Sequence, residues 1–397
     1  FRYDRLGRVS QVVDALGARS FQRNARGQVT NETLAAGYRI ARDYDLARPV
    51  RTALEAGAET LHGQDYAYDA GSRVIHVSCG PHTASYSYAS SGLLEHTSFA
   101  RDGIPVAERR QSHDGLLRLT AVSNRVALTG ADRHFRYRYE HLDRRSRVDL
   151  PDGSHWTHAY DSLGQLVAGT RHAQDETPWP GQRFAYRYDD TGNRLEAMDN
   201  GRTSLYTPDR MNRYVQRTVP GAVDLYGEAR ETATVTVDDR PADRLGRYFH
   251  GTVEAANAVT AAWVTGHVAA VVNAAGPEGE DAVMEDHRSV FLTRTPEVFS
   301  YDEDGNLVQD GRWDYTWDAE NRLTRIETRG DLPSGLPRRR VAFTYDYLGR
   351  RVSKQVEAWD TDHWTLLAGH RFFYDQWNIL AEIVDTSAPP YSQTNLY

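Results

Sequence analysis

The run DEDGN (302–306) is the stretch whose residue types most resemble a metal-binding loop. It is similar to the opening of an EF-hand calcium loop, which also needs a bidentate Glu at its twelfth position. The twelfth residue counted from Asp302 is Trp313, whose side chain offers no oxygen ligand. We therefore interpret DEDGN as a hairpin turn and predict no metal site.

Cys79 lies between His76 and His82, a grouping that invites a search for nucleophilic catalysis. Such catalysis also needs a base or an acid at a defined spacing and a turn that exposes the nucleophile. The sequence shows neither, and it has no Gly-rich loop leading into Lys-Ser/Thr that could hold phosphate. Acidic residues at 278–281 fall in a Gly/Pro-rich loop, where solvated tips are common. We predict no catalytic residues, no cofactor and no enzymatic activity.

Trp179, in the run ETPWPGQ (176–182), is the candidate binding residue that remains. Exposed Trp rings can stack on sugars, so Trp179 is a candidate carbohydrate contact. The alternative is that the ring packs within or between structural elements, where aromatic side chains bury large areas.

The pattern FAYRYDDTGNRL (184–195) indicates which elements would position these residues. Phe184, Tyr186 and Tyr188 are two residues apart, so in a strand their rings share one face. Asp189 and Gly192 occupy the first and fourth positions of a type I turn, where these residue types are favoured. The pattern therefore predicts a β-hairpin with a half-buried aromatic face and an exposed Arg face.

The same pattern recurs down the chain, at a spacing typical of repeat arrays. Asn replaces Gly in some copies, because Asn is the next best residue for left-handed backbone. The predicted turn pairs are Asp4 with Gly7, Asp161 with Gly164, Asp189 with Gly192, Asp302 with Gly305, Asp318 with Asn321, Asp346 with Gly349, and Asp375 with Asn378. Single hairpins are not stable alone and must bury a face against their neighbours. We therefore predict an all-β fold in which the hairpins form one long, spiralling sheet.

Composition excludes several classes of protein. The 397 residues carry a net charge of −8, with Lys and Arg scattered rather than clustered, so we predict no nucleic-acid partner. The charge-free stretch 255–277 contains Thr, Asn, His and Gly, and is not apolar enough to predict a membrane span. The single cysteine excludes a disulfide within the chain.

An interruption separates Tyr206 from Tyr301, where Ala, Val and Thr replace the repeat pattern. Short alternating runs such as ETATVTV (231–237) and RYFHGTV (247–253) indicate a small β-sandwich. The run TVTVDDRPA, followed by GRYF, resembles bacterial Ig-like modules. We predict three segments: repeats over 1–218, an inserted Ig-like β-sandwich over 219–296, and further repeats over 297–397.

The recurring Y-D-x-x-G-R-L/V frame resembles the YD repeat of bacterial Rhs and wall-associated proteins. Related repeats occur in the B and C components of insecticidal toxin complexes and in teneurins. The resemblance covers 1–218 and 297–397, and it implies a hollow, cocoon-like shell of hairpins that encloses a C-terminal effector in polymorphic toxins. The family's Arg/Asp-Pro-rich sealing segment has no match here, so its residues cannot be assigned.

This resemblance implies a structural encapsulation scaffold, secreted or on a bacterial cell surface. Its partner would be a C-terminal effector domain of a longer protein, and we expect a longer protein because residue 1 already lies inside a repeat. The alternative is a carbohydrate-binding or adhesion module, with surface glycans as partners.

Overall fold

The computed structural model describes residues 1–14, 16–386 and 393–396, and it is built from antiparallel β-strands. The chain divides into two compact units, Phe1–Phe135 with Arg339–Tyr397, and Arg136–Arg338. One 3₁₀ turn, Ala35–Gly37, interrupts the strands. No described helix has the length and apolar character needed to cross a membrane. The prediction of an all-β fold is confirmed.

The strands before residue 140 are β1 (Arg2–Tyr3), β2 (Val9–Asp14), β3 (Gly17–Arg23), β4 (Val29–Thr33), β5 (Tyr38–Asp45), β6 (Arg48–Ala56), β7 (Glu59–Tyr68), β8 (Val74–Cys79), β9 (His82–Tyr88), β10 (Leu94–Arg101), β11 (Ile104–His113), β12 (Leu119–Val126) and β13 (Asp132–Tyr139). The next are β14 (Arg145–Asp149), β15 (His155–Tyr160), β16 (Leu166–His172), β17 (Pro178–Tyr188), β18 (Arg194–Asp199), β19 (Arg202–Pro208) and β20 (Tyr214–Arg217).

The interruption contains β21 (Ala222–Glu228), β22 (Thr234–Val237), β23 (Arg240–Pro241), β24 (Asp243–Leu245), β25 (Tyr248–Glu254), β26 (Ala262–Val272) and β27 (Ala282–Leu292). The remaining strands are β28 (Glu297–Val298), β29 (Ser300–Tyr301), β30 (Leu307–Gln309), β31 (Trp313–Trp317), β32 (Leu323–Thr328), β33 (Arg339–Tyr345), β34 (Arg351–Asp360), β35 (His363–Asp375), β36 (Asn378–Thr386) and β37 (Gln393–Leu396).

Strands that follow one another in sequence pair with one another. In the first unit this up-and-down order runs through β1–β12 and again through β33–β37. In the second unit it runs from β13 to β20, after which β20 pairs with β28. The hairpins are therefore added to the sheets one after another along the chain.

The interruption forms two sheets of its own within the second unit. One has the order β21-β25-β24 and the other β23-β22-β26-β27. Their facing side chains make a buried cluster that includes Leu225, Val235, Val237, Phe249 and Val253. Alternating apolar residues in these short strands account for the cluster, because each strand contributes one face to it.

A second buried cluster belongs to the first unit. Ile40 and Leu54 from β5 and β6 pack with Phe373, Leu380 and Ala381 from β35 and β36. Hairpins far apart in sequence thus bury their apolar faces against one another within this unit.

Side chains on the repeat strands alternate as the aromatic pattern predicts. Tyr186 and Tyr188 are half-buried, whereas Arg187 between them is exposed. Tyr137 is likewise half-buried and Arg138 exposed. The register of each hairpin is therefore fixed, because a slip of one residue would exchange the two faces.

Candidate functional site

The repeating turn is the smallest structural element that recurs along the chain. In the turn that starts at Asp189, the Gly192 amide donates to the Asp189 carbonyl (3.1 Å) and the Asp189 amide donates to the Asn193 carbonyl (2.9 Å). The Asp189 Oδ1 atom accepts the Thr191 and Asn193 amides at 2.9 and 2.8 Å. The Asn193 side-chain amide donates to Oδ2 at 2.9 Å. The Thr191 hydroxyl also donates to Oδ1, at 2.8 Å. One carboxylate therefore satisfies four donors and closes the hairpin.

The environment of this carboxylate favours its charged form. The pKa of Asp189 is lowered to about 2, chiefly by the hydrogen bond from the Asn193 side chain, against a raising effect of burial. The residue five positions after the tyrosine, at the place of Asn193, is Arg in many copies. There its Nε atom donates to the second carboxylate oxygen, as in Arg8 to Asp4 at 2.7 Å and Arg322 to Asp318 at 2.8 Å.

Six of the seven predicted turn pairs form the backbone hydrogen bond described for Asp189 and Gly192. In each of them the amide of the fourth turn residue donates to the carbonyl of the first. They are Asp4 with Gly7, Asp161 with Gly164, Asp189 with Gly192, Asp302 with Gly305, Asp318 with Asn321, and Asp346 with Gly349. The same position is occupied by Ser72, Leu117, Asp143, Glu176 and Asn212 in copies with weaker sequence signals, all with positive φ. A left-handed residue after a type I turn is a common hairpin connection.

The turn glycines allow the backbone to take a left-handed conformation. Gly7, Gly164 and Gly305 have φ of 73°, 85° and 87°. Gly7 has open space around it, whereas Gly164 and Gly305 face the guanidinium groups of Arg144 and Arg213 from the preceding turns. These positions therefore have a structural role in joining one hairpin to the next.

The seventh predicted pair, Asp375 with Asn378, is wrong as a turn of this kind. Asp375 and Asn378 are register partners at the ends of β35 and β36, so only two residues connect the strands. Gln376, not Asn378, has the left-handed backbone, with φ 55°. The Asp375 carboxylate accepts from Arg42 Nε at 2.7 Å, which withdraws it from the turn.

Tyrosines of the repeat contact the hairpin turn that belongs to the preceding repeat. The hydroxyl donates to the carbonyl of the residue that begins the strand after that turn, or of its immediate neighbour, an arrangement we call the tyrosine clasp. Clasps are formed by Tyr44 to Val29 (3.0 Å), Tyr68 to Pro49 (2.7 Å), Tyr88 to Val74 (2.7 Å), Tyr160 to Arg145 (2.8 Å), Tyr188 to Leu166 (2.9 Å) and Tyr374 to Arg351 (2.8 Å). Trp317 Nε1 donates in the same way to Leu307, at 2.8 Å.

The arginine of the preceding turn covers the ring of the clasping tyrosine. Arg73 lies 4.6 Å from the centre of the Tyr88 ring, and Arg144 lies 4.8 Å from that of Tyr160. Each arginine therefore joins the acidic residue of its own turn and the next tyrosine through a salt bridge and a cation–π contact. Sequence reasoning found the turn but missed the clasp, because the acceptor is a backbone carbonyl that no residue type marks.

The clasps continue across the interruption. The Tyr301 hydroxyl donates to the Tyr214 carbonyl at 2.9 Å, and Arg213 lies 4.8 Å from the Tyr301 ring. Strands β20 and β28 pair at Arg217 and Glu297. The last repeat before the interruption and the first one after it thus contact each other as successive repeats do elsewhere.

Trp179 makes contacts inside the protein. The Arg171 guanidinium lies 4.0 Å from the centre of its ring, and the Tyr248 ring centre is 5.3 Å away. Tyr248 belongs to the interruption, and its hydroxyl donates to the Pro180 carbonyl at 3.1 Å. These contacts favour the packing interpretation of Trp179 over a carbohydrate contact.

A polar group at the same junction holds the interruption against the repeats. The Asp224 carboxylate accepts hydrogen bonds from Asn200 at 3.0 Å and from His250 at 2.9 Å, and it pairs with Arg202. Burial raises the pKa of Asp224, but these donors outweigh it and lower the pKa below its usual range. The pKa of His250 is raised, mainly by its hydrogen bond to Asp224.

An ion network lies within the first unit, where early and late repeats meet. Arg42 pairs with Glu32 at 3.2 Å and with Asp375 at 2.7 Å, and Arg19 pairs with Glu32 at 2.9 Å and with Asp346 at 3.4 Å. Burial lowers the pKa of Arg42, but the charges of Asp375 and Glu32 outweigh it, so the pKa is raised. The network lies largely out of solvent, since Arg42 is 7% exposed and Asp346 1%.

Cys79, His76 and His82, the group that sequence analysis considered for nucleophilic catalysis, contact other side chains or face solvent. Cys79 Sγ lies 3.4 Å from Nδ1 of His62, a histidine that sequence analysis did not single out. Burial raises the pKa of Cys79 and lowers that of His62, so the pair stays neutral. His76 contacts Ser85 at 3.0 Å, and His82 is exposed.

The acidic loop after β26 is bonded to itself. The Glu280 carboxylate accepts a hydrogen bond from the Glu278 amide at 2.9 Å, and the Asp281 carboxylate accepts one from the Ala274 amide at 2.9 Å.

Between the two sheets of the interruption there is also a cleft of about 620 Å³, lined partly by Leu225, Phe249 and Val268.

The fold and its repeating contacts define an antiparallel β-repeat protein, and parts of the chain are similar to known proteins. Residues 3–39 match the model of the RHS repeat. The tRNA nuclease WapA of Bacillus subtilis (strain 168) is 38% identical over 68 residues, which are 17% of this chain and 3% of WapA. The tRNA3(Ser)-specific nuclease WapA of Bacillus spizizenii is 41% identical over 61 residues, which are 15% of this chain and 2% of that protein.

These matches support the resemblance of the chain to the RHS/YD-repeat family. The matched segments make up only a few per cent of the length of the curated relatives. Among solved structures, the crystal structure of TcdB2-TccC3-Cdc42 aligns with 98% of this chain and 21% of its own, at 11% identity and a TM-score of 0.39.

Proposed function

We propose that the chain is a structural encapsulation scaffold: part of an RHS/YD-repeat protein whose hairpins form a shell around a C-terminal effector of the longer protein. The single observation that carries this proposal is the tyrosine clasp, which joins successive repeats within both units and continues across the interruption. A contact of this kind builds an extended wall from similar parts rather than one chemical centre. The chain itself would then act without catalytic residues or a cofactor.

The junction within the first unit supports a closed wall. Apolar side chains of β5 and β6 pack on those of β35 and β36, and the Arg42–Asp375 pair lies beside them. Repeats separated by some three hundred residues in sequence are therefore held together by both apolar and ionic contacts. A shell that encloses another domain needs such a connection between its early and late repeats.

The names of the WapA relatives support the proposal that an effector domain lies in another segment of the longer protein. Both are named as tRNA nucleases, while the segments similar to this chain cover 2–3% of their lengths. We propose that this chain is the scaffold part of a comparable protein, secreted or on a bacterial cell surface, and that any such activity resides in another segment. Carbohydrate binding is the weaker hypothesis, because Trp179 packs between Arg171 and Tyr248.

We further propose that residues 219–296 are a domain inserted between two successive repeats. Three features support it: the two separate sheets, their own buried cluster, and the Tyr301–Tyr214 clasp that bypasses the segment. Residues 1–218 and 297–397 are then the two parts of one repeat array.

Protease protection tests the encapsulation. The complete reading frame that contains this chain is expressed, and the segment after residue 397 is followed by mass spectrometry during limited proteolysis. We expect that segment to be protected in the complete protein and to be digested quickly when it is produced alone. A variant with Arg42→Met and Asp375→Asn, which weakens the junction, should lose protection.

The matched control is Arg51→Met, which removes an exposed pair with Asp65 and should leave protection unchanged. Digestion of the following segment at the same rate in the complete protein and in isolation would contradict the proposal.

A further inference from the structure

Two histidines and a glutamate converge in the second unit. His155 begins β15 and His172 ends β16, and the two are register partners across the strand pair. Their rings are stacked with centres 5.2 Å apart. Glu176 lies in the turn that follows β16, with Oε2 3.1 Å from His155 Nε2. One ligand atom from each residue lies within 4.8 Å of those of the other two.

His155 has a ring nitrogen that the described protein does not use. Its side chain is 1% exposed, and Nδ1 has no hydrogen-bond partner among the described residues. A buried polar atom without a partner is unfavourable, and it commonly points to a group that the structure does not contain. The cluster thus combines a buried imidazole, a half-buried one and an exposed carboxylate.

The charges around the cluster are compatible with a bound cation. Arg147 Nη1 lies 3.3 Å from the Oε1 atom of Glu176, on the oxygen that does not face His155. Arg147 is itself neutralised by Asp149 at 2.6 Å.

We propose that His155, His172 and Glu176 bind a divalent transition-metal ion of the zinc class. Two imidazoles and one carboxylate are ligands that suit Zn²⁺, and three protein ligands leave a fourth position for water. Ligand atoms of a tetrahedral zinc ion lie roughly 3.3 Å apart, given bond lengths of about 2.0–2.1 Å. The exposed Glu176 side chain can rotate toward the ion. His172 Nε2 lies 3.3 Å from the Thr157 hydroxyl and His172 Nδ1 lies 3.2 Å from the Glu176 carbonyl, so the ion must replace one of these two contacts. The ion ties the turn after β16 to the beginning of β15.

Metal titration of the chain, produced without an affinity tag, tests this site. We expect one equivalent of Zn²⁺ to bind in competition with a chromophoric chelator, and Co²⁺ to give the visible absorption of a nitrogen- and oxygen-ligated ion. His172→Asn and Glu176→Gln should each weaken Zn²⁺ binding by roughly tenfold or more. Zn²⁺ should raise the melting temperature of the parent chain and not that of these variants.

The matched control is His287→Asn. His287 also stacks on a cross-strand histidine, His267, at 4.8 Å, but the pair lies in another part of the second unit. This variant should bind Zn²⁺ as the parent does. The proposal is overturned if the parent binds no stoichiometric Zn²⁺, if binding survives unchanged in both site variants while circular dichroism shows them folded, or if only His287→Asn abolishes it.

Discussion

The hydroxyl of Tyr301 donates a hydrogen bond to the carbonyl of Tyr214, 2.9 Å away in space and 87 residues earlier in the chain. The other tyrosine clasps join residues 14–23 positions apart, as between Tyr88 and Val74 or Tyr374 and Arg351. The chain therefore makes its usual repeat-to-repeat contact around the interruption.

The contribution of one clasp to the free energy of unfolding can be measured by removing its hydroxyl. Tyr188→Phe deletes the hydrogen bond to the Leu166 carbonyl and leaves that acceptor without its partner, so we expect a loss of about 1 kcal/mol in unfolding free energy. Tyr186→Phe is the control two residues away, since the Tyr186 hydroxyl has no hydrogen-bond partner among the described residues. Urea denaturation should place the Tyr186 variant near the parent. Equal effects of the two variants would refute an energetic role for the clasp.

Left-handed turn positions should resist substitution even where space is open. Gly349 has φ 76°, and no atom lies within 4 Å of the position that a Cβ atom would occupy. Gly349→Ala therefore adds backbone strain alone and should cost about 1–2 kcal/mol. Gly115 lies in an equivalent turn with equal space but without a positive φ, so Gly115→Ala should be neutral or slightly stabilising. Thermal unfolding of the two variants distinguishes strain from crowding.

The ion network of the first unit should be sensitive to the loss of one member. Arg42→Met removes the cation between Glu32 and Asp375 and should cost about 3 kcal/mol, because charges that lie largely out of solvent lose their partner. Arg51→Met breaks an exposed pair and should cost less than about 1 kcal/mol. A double-mutant cycle of Arg42→Met with Asp375→Asn measures the coupling. A coupling energy near zero would show that the pair adds nothing.

The Asp224–His250 pair should make stability depend on pH in two directions. The pKa of His250 is raised in the folded protein, so its contribution is complete below the unfolded histidine value of about 6.5 and is lost as pH rises through the folded pKa. The pKa of Asp224 is lowered, so its contribution is present above about pH 4 and is lost at lower pH. Between these limits the pair stabilises most.

Asp224→Asn should reduce the loss of stability between neutral and alkaline pH that His250 causes, although Asp243, 3.5 Å from His250 Nδ1, still favours the charged imidazole. NMR titration of His250 measures this directly, since its pKa should fall toward the ordinary histidine value in the variant. An unchanged His250 titration would mean that Asp224 is not the cause of the shift.

The interruption should be removable. Arg217 and Glu297 are register partners, so a short Gly-Ser linker from Thr218 to Pro296 can replace the intervening residues. The repeats should stay folded because the Tyr301–Tyr214 clasp does not involve the deleted segment. Deletion also removes Tyr248, which packs on Trp179, and leaves this apolar ring exposed. Trp179→Gln is a companion variant that restores solubility if the exposed ring causes aggregation. Loss of the β-sheet circular dichroism signal in the deletion variant, with or without Trp179→Gln, would contradict the insertion.

Local chemistry made the turns predictable from sequence. Asp189 and Gly192 act within five residues, so their roles follow from residue type and spacing alone. Asp375 did not follow the rule, because Arg42, from a strand more than three hundred residues earlier, competes for its carboxylate. Sequence cannot reveal that competition, since it depends on which hairpins pack together.

The histidine cluster was missed for a related reason. His155 and His172 are separated by a whole hairpin, and only strand register makes them neighbours. Metal motifs recognised in sequence have short spacings within one element, whereas this one is formed across a strand pair. The neighbours of Trp179 were equally inaccessible, because Tyr248 comes from the interruption and not from the repeats.

The clasp also has an evolutionary consequence. Its donor is the repeat's own tyrosine, and its acceptor is a main-chain carbonyl that every amino acid carries. A newly duplicated or recombined repeat can therefore make this hydrogen bond to any predecessor without a compensating change of side chain. Arrays of this kind can lengthen, shorten or acquire foreign segments by single genetic events, and the 219–296 segment lies where such an event leaves the chemistry of the joint intact.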